Sequence, residues 1–143
     1  MRYAAVALGL ALFTAGCETM SDVVSSAGAP AAPMALGDWT HAAPAATLAQ
    51  FEGVVATRYT VGSSLSDAAA DLRRSDFSCA ANVDTTGRGD PPAQICRRTV
   101  TAANCTGTWQ VHLFDAHGAG RIARARALFD RRCGREGLLG GPS

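Results

Sequence analysis

The sequence predicts an α+β fold: a short helix packed on a small antiparallel sheet of three to four strands, stapled by disulfides, behind a disordered N-terminal tether. Three observations carry that prediction. Ser64 to Leu72 repeats its apolar residues with helical spacing, and Gly107 to Asp115 alternates with the period of a half-buried strand. Four cysteines, Cys79, Cys96, Cys105 and Cys133, are spread over the same region in an even number. The chain has 143 residues, enough for one small domain once a targeting segment and tether are set aside.

At the N-terminus, Arg2 supplies a positive charge, and Tyr3 through Phe13 is an uncharged, mostly apolar run of secretory-signal type. It is too short to stay in a bilayer as a span, which needs about 20 apolar residues. The run ends in Thr14-Ala15-Gly16-Cys17. That tetrapeptide resembles the lipobox of bacterial lipoproteins, in which small residues precede a lipidated cysteine. The resemblance implies that 1–16 is a signal peptide, cleaved after Gly16, and that Cys17 carries a covalent lipid; no other cofactor is expected. Thr14 stands where leucine is commoner, and an ordinary signal ending near Ser25-Ser26-Ala27 would discard Cys17. With several acyl chains at about 0.8 kcal/mol per buried methylene, anchoring would be effectively permanent. Glu18 rather than aspartate after the cysteine implies, by the same resemblance, the outer membrane facing the periplasm, with inner-membrane retention as the alternative.

Residues 17–50 are expected to form the lipidated cysteine and its flexible tether, because Met20 through Pro44 is rich in Ala, Ser, Gly and Pro without apolar periodicity. Trp39 interrupts this stretch, as a residue docked on the domain or as a hook for a partner. The folded domain is expected over 51–133. Val54 to Val61 has the β-branched and aromatic content of a strand. Ser64 then reads as a helix N-cap, with Asp67 in the first turn and Leu65, Ala68, Ala69 and Leu72 as the buried stripe; Asp71, Arg73 and Arg74 fall off the stripe or at its end. Phe77 to Ala81 and Gln94 to Thr101 read as the arms of a wide hairpin around a Gly- and Pro-containing loop. In the surest strand, Trp109, Val111 and Leu113 share one side, and Thr108, Gln110 and His112 the other. After the turn at 116–120, Arg121 to Phe129 reads as a returning strand, with a helix as the alternative. Residues 134–143 read as a flexible tail.

Secreted cysteines in even number read as two disulfides. Of the three possible connectivities, the sequential one fits best: Cys79 and Cys96 lie on the arms of one hairpin, and Cys105 and Cys133 bracket the last elements. Zinc is disfavoured because the intervals of 17, 9 and 28 positions contain no short Cys-x-x-Cys knuckle. The same absence disfavours thiol redox catalysis.

No metal site, nucleophile elbow or phosphate loop is legible, and the expectation is a protein that is not an enzyme. Asp115 and His117 sit two apart in a turn, which favours local hydrogen bonding over acid/base work. All 13 basic residues are arginine, and without Arg2 they balance the 12 acids, so nothing global points to nucleic acid. The charges are segregated, however. Glu18 to Cys96 holds 4 arginines against 9 acids, and Arg97 onward 8 against 3. Arg121, Arg124, Arg126, Arg131 and Arg132 are therefore candidates for binding an anionic partner, against the plainer reading of a solvated strand face. Arg88-Gly89-Asp90 matches an adhesion tripeptide short enough to arise by chance.

The order of helix and strands, Gly62-x-Ser-x-x-x-x-Ala69 before the helix leucine, and Phe114-Asp115 entering a Gly-containing turn are together similar to BamE/SmpA-type outer-membrane lipoproteins and the related β-lactamase-inhibitor-like fold. That resemblance implies a noncatalytic structural or interaction module in contact with another envelope protein. The alternative is a periplasmic inhibitor that blocks an enzyme by inserting the Asn82 to Gln94 loop. The intact mature protein is expected to carry an acyl mass on Cys17 and to weigh about 4 Da less than its four-thiol form. A lipid-free mass starting after Ala27 would remove the anchor.

Overall fold

A computed structural model describes residues 31–83 and 89–134. The expected signal segment, Cys17 and the tail from 135 lie outside the described residues. Two helices, α1 (Pro44–Arg58) and α2 (Leu65–Arg74), precede four strands, β1 (Ser78–Ala81), β2 (Gln94–Ala102), β3 (Cys105–Asp115) and β4 (Ile122–Cys133). The strands form one antiparallel sheet in the order β1-β2-β3-β4. The fold is α+β, as predicted, and Arg121 to Phe129 contributes to a strand rather than a helix.

Helix α2 forms where expected. Ser64 Oγ accepts the Asp67 amide, and Leu65, Ala68, Ala69 and Leu72 are buried. The helix stops because Asp76 turns left-handed (φ 64°). The Phe77 and Asp76 amides then donate back to the Leu72 and Arg73 carbonyls. This cap leads directly into β1.

Helix α1 corrects two expectations. Residues 54–58 are its last turns rather than a strand, and among the described residues packed structure already includes Met34 and Trp39, ahead of the start expected at Phe51. The physical reason is a period of four: Thr47, Phe51 and Val55 are buried within the helix, and Tyr59 just after it. β-branched residues at 54, 55 and 57 bias toward a strand only weakly, and packing overrides them. Pro44 fits the first turn, where no amide partner is lost.

Residues 31–43, expected as part of the tether, form a strap over the core. Met34 and Trp39 are buried, and the Met34 amide donates to Ser75 Oγ at 3.0 Å. Trp39 meets Trp109 edge to face, with ring centroids 5.2 Å apart, and Phe129 lies 4.8 Å from Trp109 on the neighbouring strand. The sheet's inner face, through Trp109, Val111 and Leu113, thus joins both helices and the strap in one apolar cluster.

Both disulfides follow the sequential pairing. Cys79 and Cys96 face each other across β1 and β2, and Cys105 and Cys133 across β3 and β4, each pair in register. Closing loops with separations of 17 and 28 residues contributes about 3 to 4 kcal/mol apiece on the chain-entropy model. Between them, β2 turns into β3 through Ala103 and Asn104, both at positive φ, as a two-residue hairpin loop requires.

Asp71, expected off the buried stripe, is itself buried and joins the helices. Arg58 Nε lies 2.6 Å from its carboxylate, Tyr59 Oη 2.8 Å and Arg74 Nη2 2.9 Å. Burial pushes the carboxyl up, but the bonds from Arg58, Tyr59 and Arg74 outweigh it and hold the group below its ordinary value of 3.8. The Tyr59 phenol is raised, first by burial and then by its bond to Asp71.

Two outcomes follow from this packing. A Cβ on Gly107 would lie 2.6 Å from the Trp109 ring and 2.9 Å from that of Trp39. Gly107→Ala should therefore cost about 1 to 3 kcal/mol, read as a lower urea midpoint. Asp71 titrates lower in the folded chain than in the unfolded one, so its contribution is complete above pH 3.8 and is lost as pH falls through the folded value. Asp71→Asn should lose about 2 kcal/mol or more at neutral pH and show a shallower stability loss in acid than the parent.

Candidate functional site

Both helices pack against the inner face, α1 along β4 and α2 along β1 and β2, so no described element covers the outer face. Strand alternation decides what that face carries. Register aligns Thr101, Thr106 and Arg132 in one row, and Thr99, Thr108 and Asp130 in the next. Arg97, Gln110 and Leu128 follow, then Ile95, His112 and Arg126. Phe114 and Arg124 close the series at the far end.

The threonines pair across strands, Thr99 with Thr108 at 3.3 Å and Thr101 with Thr106 at 3.2 Å. Beside them, Arg97, Thr106, Thr108, Gln110, Asp130 and Arg132 line a shallow groove of about 380 Å³. Gln110 Oε1 lies 3.3 Å from His112 Nε2. Burial of its ring, and then the positive charges of Arg126 and Arg97, push the His112 imidazole below 6.5. A larger apolar cleft of about 780 Å³ runs between residues 31–35 and α1, and Arg58 is the one charged residue lining it. Arg58 is already held by Asp71.

The five candidate arginines separate into different roles. Arg124, Arg126 and Arg132 point outward from alternate positions of β4. Arg124 lies over the Phe114 ring, 3.9 Å from its centroid, and pairs with Asp90 at 3.2 Å. Arg132 pairs with Asp130 at 3.4 Å. Arg131 points inward instead, where Nη1 donates to the carbonyls of Trp39 at 2.8 Å, Thr40 at 3.2 Å and Ala42 at 2.7 Å. It clamps the strap. Arg121 sits at the turn, with Nη1 3.4 Å from the Gly62 carbonyl.

Arg97 and His112 join the outer face without having been singled out as ligands. Their signal was present: Arg97 adjoins buried Cys96, and His112 lies between buried Val111 and Leu113, so alternation turns both outward. The Asp115 carboxylate accepts the Gly120 and Arg121 amides at 3.2 and 3.3 Å, which makes it a turn cap. In the adhesion-like tripeptide, Arg88 lies outside the described residues and Asp90 is engaged by Arg124. Among the described residues, no group of three or more His, Cys, Asp or Glu is placed to hold a metal ion.

Adjacent arginines on β4 should therefore respond differently to removal. Arg131→Ala is expected to cost about 2 to 3 kcal/mol and to speed proteolysis within 31–43, because three carbonyls lose one donor group. Arg132→Ala should cost less than about 0.5 kcal/mol, since its ion pair is exposed. Thermal unfolding and limited proteolysis of the two variants check this. In comparisons with family models, curated proteins and solved structures, the chain has no match.

Proposed function

We propose that this chain is a noncatalytic, lipid-tethered interaction module of the bacterial envelope, held at the outer membrane by Cys17 and facing the periplasm. In this reading the open sheet face docks an anionic partner in the envelope. The observation that carries it is the one-sided covering of the sheet: the helices occupy the inner face, while the other presents Arg97, Arg124, Arg126 and Arg132, with Asp130 beside Arg132. Guanidinium groups on a rigid sheet suit carboxylate or phosphate recognition, because their donors are already positioned. The lipobox-like Thr14-Ala15-Gly16-Cys17, the secreted-type cysteine pairs and the resemblance to BamE/SmpA-type lipoproteins support the envelope part of the reading. The blocking-loop alternative gains nothing from the described part of that loop, where Asp90 is tied back to the sheet by Arg124.

A photo-crosslinking residue in place of Gln110, on the open face, should capture a discrete envelope partner in cells. The same residue in place of the exposed helix position Ala56 should not. Combined Arg97→Gln, Arg126→Gln and Arg132→Gln should abolish the Gln110 adduct, while the variant remains folded and membrane-associated. Equal capture from both positions, or capture indifferent to the arginines, would overturn the face assignment.

A further inference from the structure

Most arginines of the domain are already occupied. Arg58 and Arg74 serve Asp71, Arg98 pairs with Asp76, Arg124 with Asp90 and Arg132 with Asp130. Arg131 is spent on backbone carbonyls. On the outer face this leaves Arg97 and Arg126, both exposed, with no carboxylate partner among the described residues. They are not scattered. Arg97 on β2 stands opposite Gln110, Arg126 on β4 stands opposite His112, and Gln110 and His112 are two apart on the strand between them. Two unpaired guanidinium groups therefore flank a Gln-His pair, one from each side.

We propose that Arg97, His112 and Arg126 form a binding site for a phosphate group, free or carried on a lipid headgroup, with Gln110 and Thr108 as neutral donors beside it. This deepens the docking reading of the open face and rests on it. Two guanidinium groups can each offer paired N–H donors to a tetrahedral oxyanion. The groove that starts at Arg97 and Gln110 runs the other way, towards Asp130 and Arg132, so the site is the open strand surface between Arg97 and Arg126 rather than that groove.

The histidine makes the site sensitive to protons. In the free protein, partial burial and two like charges oppose its protonation. A bound dianion cancels that repulsion, so binding favours the imidazolium, and by reciprocity protonation tightens binding. The other charges near the site do not reverse the sign. On β4, Asp130 is paired with Arg132, and Arg124 with Asp90. On β3, Asp115 is held by the Gly120 and Arg121 amides. On β1, the open-face residues Ser78 and Ala80 are uncharged, and Arg98 of β2 pairs with Asp76. The helices pack on the opposite side.

The test is a titration of the purified full chain, followed by NMR, with inorganic sulfate and inorganic phosphate as probes. Sulfate is the cleaner one, because its own charge stays constant while histidine titrates. Its affinity should rise about fivefold or more from pH about 7.5 to about 5.5. Arg97→Gln and Arg126→Gln should each weaken it about tenfold. His112→Gln should retain binding at neutral pH and lose the rise in acid, and Asp130→Asn should tighten binding throughout. All four positions are exposed or half-exposed, and circular dichroism verifies that the variants fold. Vesicles of phosphatidylcholine with and without phosphatidate separate the sources: capture by phosphatidate that depends on Arg97, with weak free-ion binding, assigns the headgroup, and strong free-ion binding assigns the soluble anion. Absence of binding to sulfate, phosphate and phosphatidate vesicles overturns the site, as does binding indifferent to Arg97 and Arg126 or a pH rise that survives His112→Gln. If crosslinks from Gln110 persist while all three probes fail, the docking face stands and the phosphate site falls. If phosphate binds as described while Gln110 captures nothing, the site stands and the partner reading falls.

Discussion

Two tryptophans meet edge to face on the inner side of the sheet because Gly107 presents no Cβ there. Trp109 comes from the middle of the longest hairpin, and Trp39 from the strap that precedes the first helix. Edge-to-face rings gain about 0.5 to 1.5 kcal/mol beyond the area they bury. Their larger effect is positional. Trp39 can reach Trp109 only if the strap runs across the core, and Arg131, opposite Gly107 in the register, holds the strap there through three carbonyls. Once the strap is placed, Pro44 starts α1 beside β4. A disulfide at each end of the sheet then limits how far the strands can part if this cluster loosens.

The same strand that closes the core also supplies much of the outer face. Along β4, odd positions such as Ala127, Phe129 and Arg131 turn inward, and even positions such as Arg124, Arg126 and Arg132 turn outward. Arginine thus serves two different purposes one residue apart. Inside, a guanidinium satisfies three partly buried carbonyls of the strap. Outside, the group is hydrated, its ion pairs are individually weak, and what matters is the field that several of them create together.

That field is built on the sheet, with hydroxyl pairs bridging the strands and His112 in its middle. A domain that turns its helices to one side and its charges to the other has separated stability from recognition. Substitutions on the outer face can alter what it binds without disturbing the cluster around Trp109. The buried ionic group around Asp71 lies at the opposite pole, where it locks α1 to α2 and takes no part in the open face.

Where one face of an element is buried and the other wet, its residues report the element directly. That is why Ser64, Leu65, Ala68, Ala69 and Leu72 identified α2, and why the alternation from Gly107 to Asp115 identified β3. Cysteine order suggested the disulfide partners because antiparallel neighbours in sequence are neighbours in space. The four-residue spacing of Phe51, Val55 and Tyr59 that marks α1 was present in the sequence but was masked by the β-branched residues around it; the strap left no local pattern, since an Ala-, Gly- and Pro-rich stretch acquires structure only from the surface it packs against. Nor could local pattern sort the arginines. Composition placed them together in the last third of the chain, but whether each holds a carbonyl, pairs with a carboxylate or stands free depends on the register of β3 with β4. Hydrogen bonding and packing between residues distant in sequence set that register.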